Sequence, residues 1–237
     1  MAGTKDRKLA WPRHTARSPW RRFKVFARRY RSTTLFASII MLIVLAPFYE
    51  ADQKSLVFAG AWTFVLAVGI YAAGRKPLYY RVALALGAPA LLAPWSAHGE
   101  YGTVLRLVLH GWVAAFYVFL IFMVQSHILR DRTITGDNVM GGLCTYFLIA
   151  LAYTSVYEIV VILDPQAIAS VHSPGGWAGR GDTSHFSFVT LTTLGYGDMT
   201  PVSRVARSLA TLEACTGVLY VATFVAWLVS SFRGQRQ

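Results

Sequence analysis

Six stretches of this chain are apolar for long enough to cross a bilayer as a helix, and that property fixes the fold class before any motif is read. A spanning helix needs about 20 apolar residues, with a range of roughly 17–25. The runs cover residues 33–48, 55–73, 78–95, 103–128, 138–163 and 204–232, the first extending back to Arg31. Breakers separate them, including the Gly74-Arg75-Lys76-Pro77 turn and the polar stretch from Arg130 to Asp137. Pro89 and Pro94 are expected to bend the third helix. Charged residues make up 14% of the 237 positions, against about 25% in soluble domains. The expected fold is an all-α membrane protein of six spans.

The net charge of +12 would suit nucleic acid, but its placement does not. Eleven of the 23 Lys and Arg precede residue 32, opposed there only by Asp6. The positive-inside rule then puts both termini in the cytosol of a multi-pass plasma-membrane protein. Ser18-Pro19 opens a segment in which Trp20, Phe23, Phe26, Ala27 and Tyr30 form an apolar stripe. Arg21, Arg22, Lys24, Arg28, Arg29 and Arg31 surround it, a pattern that lies on the inner leaflet and favours anionic lipid. A basic flank that only sets topology explains the same residues. Cys144 and Cys215 both fall in apolar runs and read as buried free thiols, and no Cys/His cluster points to a structural metal.

A seventh apolar stretch, 184–194, is too short to span. Asp182, Thr183 and Ser184 offer it an N-cap, and Gly195 and Gly197 follow it. This reads as a re-entrant helix, because irregular backbone at membrane depth is tolerated only where it lines a water-filled path or is covered by protein. Residues 192–198 read Thr-Thr-Leu-Gly-Tyr-Gly-Asp. Glycine accepts positive φ without a Cβ clash, which allows successive carbonyls to face one axis. Rings of such carbonyls replace the hydration shell of a potassium ion. The string occurs once, so a ring needs four chains.

On these residues, with Thr200-Pro201 downstream, the chain resembles the six-helix tetrameric potassium channels, of the voltage-gated-like, prokaryotic kind without a charged sensor helix. The resemblance divides the chain into a basic tail (1–32), a four-helix sensor-like domain (33–128), a linker (129–137), a pore domain (138–232) and a short tail (233–237). It implies a selectivity filter of Thr193, Leu194, Gly195, Tyr196 and Gly197, with K+ as the ion conducted and no other metal or cofactor. Leu194 stands where valine is commoner. Thr192, Asp198, His185, Glu158 and Glu213 are implied filter supports. His185 and Phe186 replace paired tryptophans, which puts the usual bonds to Tyr196 and Asp198 in doubt. An imidazole there either packs at the interface or responds to outside pH, its ordinary pKa being near 6.5. Glu158 is implied to pin the connection after the filter, with Arg204 or local backbone as partner. Glu213 is expected to meet the pore helix near Thr190 or Thr192, with a cavity-facing role as the alternative. Gly217 matches a hinge glycine, or else permits close packing. Val221, Val225 and Val229 form a stripe that either lines the inner cavity as a gate or packs on the fifth helix.

Steep voltage sensing needs charge that moves through the field, at about 2.3 kcal/mol per charge per 100 mV. The fourth run carries Arg106 and His110, then no basic residue until His127. Four subunits with one full charge each supply at most about 9 kcal/mol per 100 mV. The residues 164–183 read as a solvated turret loop, and no soluble ligand-binding module is expected after the last helix. No catalytic constellation is present, so an enzyme is not expected. The reading is a homotetrameric, weakly voltage-dependent potassium channel. A poorly selective or non-conducting subunit, or a membrane adaptor, is the alternative.

Overall fold

The computed structural model describes residues 31–45, 56–73, 77–97, 102–130, 135–171 and 180–234. The chain through residue 30 lies outside them, and with it the stripe of Trp20 and the basic residues around it except Arg31, which opens the first helix. The described residues are almost entirely helical: α1 (Arg31–Leu45), α2 (Leu56–Ala72), α3 (Pro77–Ala90), α4 (Thr103–Ile128), α5 (Gly136–Leu163), α6 (Arg180–Leu191) and α7 (Arg204–Gly234). Three of these, α4, α5 and α7, are long and apolar enough to cross a membrane. The shorter α1 and α2 are apolar but fall below that length.

The third run departs from expectation. It is not one bent span: α3 stops at Ala90, and a 3-10 helix covers Ala93–Ala97. The change follows from the prolines. Pro89 has no N–H to donate within α3, and the acceptor then moves from four residues back (Leu91 N–H to Gly87 O, 3.0 Å) to three (Leu92 N–H to Pro89 O and Trp95 N–H to Leu92 O, 3.1 Å each). The 14 residues of α3 reach about 21 Å, short of a bilayer core of about 30 Å.

The core lies between α1, α2, α4 and α5, where Leu35, Ile39, Leu66, Phe116, Leu120, Leu148 and Leu151 are buried. Among apolar helices in lipid, packing rather than removal from water selects such contacts. Only residues 129–135 separate α4 from α5, so the two pair as antiparallel neighbours. Thr135 caps α5 by accepting from the Asn138 N–H. Asp137, in the first turn of α5, caps α1 in turn: its carboxylate accepts from the Ser32 hydroxyl (3.2 Å) and from the Thr33 N–H and hydroxyl (3.4 Å each). A ring chain from Phe36 to Phe147 (5.3 Å) to Phe188 (5.6 Å) carries the core across to α6.

The segment after α5 holds an element absent from the sequence reading. Strand β1 (Ile168–Ser170) pairs antiparallel with β2 (Met199–Pro201), in the register Ile168 to Pro201, Ala169 to Thr200 and Ser170 to Met199. The expected turret loop is therefore tied to the strand that leaves the 192–198 string.

Candidate functional site

Helix α6 has 12 residues and a length of about 18 Å, too short to cross a bilayer. It begins at Arg180, so Asp182, Thr183 and Ser184 lie within its first turns and do not cap it. Its last carbonyls are tied down. Val189 O accepts from the N–H groups of Leu194 (3.0 Å) and Gly195 (3.4 Å), Thr190 O from Thr193 (2.9 Å), and Phe188 O from Thr192 (3.1 Å). The Thr192 hydroxyl adds bonds to Phe188 O and Val189 O.

The string that follows alternates in backbone hand. Thr193, Gly195 and Gly197 have φ of 57°, 55° and 82°, while Leu194 and Tyr196 are not in the positive region. Such alternation turns successive peptide groups the same way, N–H groups to one side and carbonyls to the other. Two of the three positions are glycine, which takes this conformation freely. Thr193 is β-branched and does not, so its strain, of order 1–3 kcal/mol, is held by its surroundings. All residues from Thr192 to Gly197 are exposed in the single chain. Behind them lies an open groove of about 290 Å³, lined by Phe186, Val189, Thr190 and Ala210 among others.

Three side-chain systems brace the string. At its C-terminal end His185 Nε2 lies 2.9 Å from Asp198 Oδ2, and the His185 ring stacks on Tyr196 with centroids 6.2 Å apart and planes 4° apart. The bond to Asp198 that loss of tryptophan put in doubt is made by His185. Burial of Asp198 acts to raise its pKa. The bond and charge of His185, with the N–H groups of Met199 and Asp198, outweigh it and hold the carboxyl below its ordinary value. The Asp198 carbonyl also accepts from Val171 N–H (2.9 Å), beside the β1–β2 ribbon.

Glu213 acts one element back, on the middle of α6. It is fully buried, accepting from the Tyr157 hydroxyl (2.7 Å) and from Ser187 (2.5 Å). It meets α6 as expected but at Ser187 instead of Thr190 or Thr192, and its burial overturns the cavity-facing alternative. Glu158 braces the start of α6, accepting from the Thr183 hydroxyl at 2.6 Å. Its other oxygen faces His110 of α4, with Nε2 3.8 Å away. These, not Arg204, are the partners found. Spacing within α5 could not disclose them, because both come from distant segments.

An ion-channel family matches residues 141–233, the stretch that holds α6, the string and nearly all of α5 and α7. Residues 141–233 are thus similar to an ion-channel domain. Relatives include potassium voltage-gated channel subfamily A member 10 of Gallus gallus, 31% identical over 106 residues, which are 44% of this chain and 19% of that one. The same protein of Mus musculus and of Homo sapiens is 30% identical over the same shares. The chain therefore aligns with less than a fifth of the length of these relatives. No solved structure matches.

Within the matched stretch, α7 grips α5 and α6 along one stripe. A Cβ on Gly217 would overlap the Leu191 carbonyl oxygen, and one on Gly142 would overlap the Phe224 ring. Gly217 thus has a packing reason to be glycine. The Tyr220 hydroxyl donates to Gly142 O (2.8 Å), and Tyr220, Phe224 and Trp227 stack in sequence on the same side. Val221, Val225 and Val229 stay exposed, at 47%, 51% and 47%, so the stripe does not pack on α5. Cys144 is buried as expected, whereas Cys215 is exposed, because it sits on the open part of α7.

Proposed function

We propose that four copies of this chain form a potassium-selective channel of the plasma membrane, with the carbonyls from Thr193 to Tyr196 and the Thr193 hydroxyl as the ion's ligands. The observation that carries this reading is the alternation of positive φ at Thr193, Gly195 and Gly197. It presents carbonyls on one side of a strand that is exposed in one copy and needs others to close a ring. The C-terminal end of α6, which leads into the string, carries the negative pole of the helix dipole and favours a cation there. Ions dehydrate at the carbonyl rings and move by repulsion between adjacent sites.

The six-span arrangement with both termini cytosolic belongs to the same proposal, as do the division at residues 129–137 and the binding of anionic lipid by the basic tail. Val221, Val225 and Val229 line the inner cavity and close it by dewetting. Gly217 is a pivot only in so far as its contact with Leu191 can be released. The sensor-like bundle moves little charge, since α4 offers Arg106 and His110 alone over its outer two-thirds.

Reconstitution in liposomes tests the reading, with potassium and sodium flux measured at several voltages and barium as blocker. Potassium flux well above sodium flux, blocked by barium and shallow in voltage, is expected. Equal sodium flux would favour a poorly selective subunit, and silence an adaptor.

A further inference from the structure

The hydroxyl hydrogens around the buried Glu213 carboxyl are too few for the contacts made there. Tyr157 of α5, Ser187 of α6 and Glu213 of α7 are each fully buried. The Tyr157 oxygen lies 2.7 Å from Glu213 Oε2. The Ser187 oxygen lies 2.5 Å from Glu213 Oε1 and also 2.7 Å from the Ala150 carbonyl oxygen of α5. Thr154 Oγ1 reaches the same carbonyl at 2.9 Å, with a hydrogen of its own. Oxygens this close are hydrogen-bonded, and each bond needs one hydrogen. For the other three contacts, Tyr157 and Ser187 bring one hydrogen each and the Ala150 carbonyl brings none. If Ser187 donates to an ionised Glu213, its oxygen faces the Ala150 oxygen with nothing between them. If it donates to Ala150, the same holds at Glu213.

We propose that Glu213 is a neutral acid in the folded protein near pH 7, and that its carboxyl supplies the missing hydrogen to Ser187. The extra hydrogen reverses the Ser187 bond: Glu213 donates, and Ser187 passes its own hydrogen to Ala150. The bonds then run one way, from Tyr157 to Glu213 to Ser187 to Ala150, leaving α5, crossing α7 and α6 and returning to α5. Every member is satisfied, and such a directed chain strengthens its own links. The surroundings suit a neutral group. Among the described residues no Lys, Arg or His forms an ion pair with Glu213, and a buried charge without a partner is costly. The ionisable side chains near it are tyrosines of α5, Tyr157 and Tyr146, uncharged near neutral pH. Glu213 is thus a positioning residue. It fixes α6 by directed bonds and adds no charge beside the path of an ion. The protonation state stands on the hydrogen count, while its consequence for the ion path rests on the channel reading.

Infrared difference spectroscopy of the full chain in liposomes at pH 7 tests the protonation state without any need for conduction. The wild-type spectrum minus that of Glu213→Gln should show the carbonyl stretch of a protonated carboxyl. That band should move in Tyr157→Phe and in Ser187→Ala, which each alter one bond and keep the acid, so the assignment does not hang on one variant. Carboxylate bands in the difference spectrum, with no band of a protonated acid, would overturn the proposal. For the ion path, potassium flux is compared at low and high ionic strength. A fixed negative charge beside the path raises flux at low salt and is screened at high salt. The ratio of the two fluxes should therefore be the same in wild type and Glu213→Gln. A ratio that falls in Glu213→Gln would overturn the neutral assignment. A wild-type chain that conducts nothing would remove the channel reading and this consequence with it, and the infrared bands would still decide the state of Glu213.

Discussion

Helices α5 and α7 are both long, both apolar and both in the stretch that matches the ion-channel family, yet they are used in opposite ways. In its most apolar stretch α5 is 56% buried within the protomer and α7 only 11%. Helix α5 buries residues all round, from Gly141 and Cys144 to Leu151 and Tyr157. Helix α7 buries Ala206, Glu213 and Gly217, spaced seven and four apart on one face. Lipid asks no protein cover of an apolar helix, so the low burial of α7 costs nothing by itself. What it teaches is how little contact locates α7: one acid, one small residue and a row of rings.

If that narrow stripe alone locates α7, the largest effect comes from crowding it. Gly217→Ala places a methyl against the Leu191 backbone oxygen, and backbone at the end of a pinned helix cannot swing aside. A loss at the upper end of the roughly 1–3 kcal/mol seen for overpacking is expected. Gly142→Ala meets the Phe224 ring instead, a side chain able to turn, so its loss should be smaller. Val225→Ala, on the exposed face, should stay within about 0.5 kcal/mol. Thermal unfolding in detergent ranks the three, and equal losses would show that α7 is held by more than its stripe.

The buried acid should come second. Removing Ser187 or Tyr157 as a donor leaves Glu213 short of a partner in a place without water, at about 1–3 kcal/mol for each. Ser187→Ala and Tyr157→Phe are the variants to measure. Glu213→Gln keeps an oxygen for one donor and should cost less than either. A larger loss in Glu213→Gln would mean that charge, not bonding, holds α6 to α7.

The same contrast explains what the sequence disclosed. The apolar runs gave α1, α2, α4, α5 and α7 to within a few residues, because a continuous apolar run is a property of each segment alone. The residues 192–198 pointed to the site for a similar reason: positive φ at alternate positions asks for glycine, and two glycines were there to be read. Partners across segments were not legible. Glu158 finds Thr183 and His110 because α4 folds back along α5, and nothing within α5 encodes that. The β1–β2 ribbon is three residues a side, too short to leave an alternating pattern. His185 was read as a loss of tryptophan, since its bond to Asp198 depends on a turn of the chain 13 residues on.

That bond should give the smallest effect, being the most exposed: the two side chains are 44% and 29% accessible. Exposed pairs contribute little to stability, so the sign of the pH dependence is more informative than its size. The Asp198 carboxyl is held below its ordinary value in the fold. A carboxyl lowered on folding adds stability above its unfolded value, near 3.9, and that contribution fades as pH falls through the lower folded value. Melting temperature should therefore hold through mild acid and lose the Asp198 contribution only below about pH 4. His185→Gln removes the ring charge, so the folded value rises toward the unfolded one, and the acid loss should be smaller than in wild type and complete at higher pH. His185→Phe keeps a ring against Tyr196 but no bond, and should shift the acid limb in the same way. If both variants reproduce the wild-type limb, the carboxyl is held by the Met199 and Asp198 N–H groups alone, and the C-terminal end of the string is fixed by backbone, as its N-terminal end is by Val189 and Thr190.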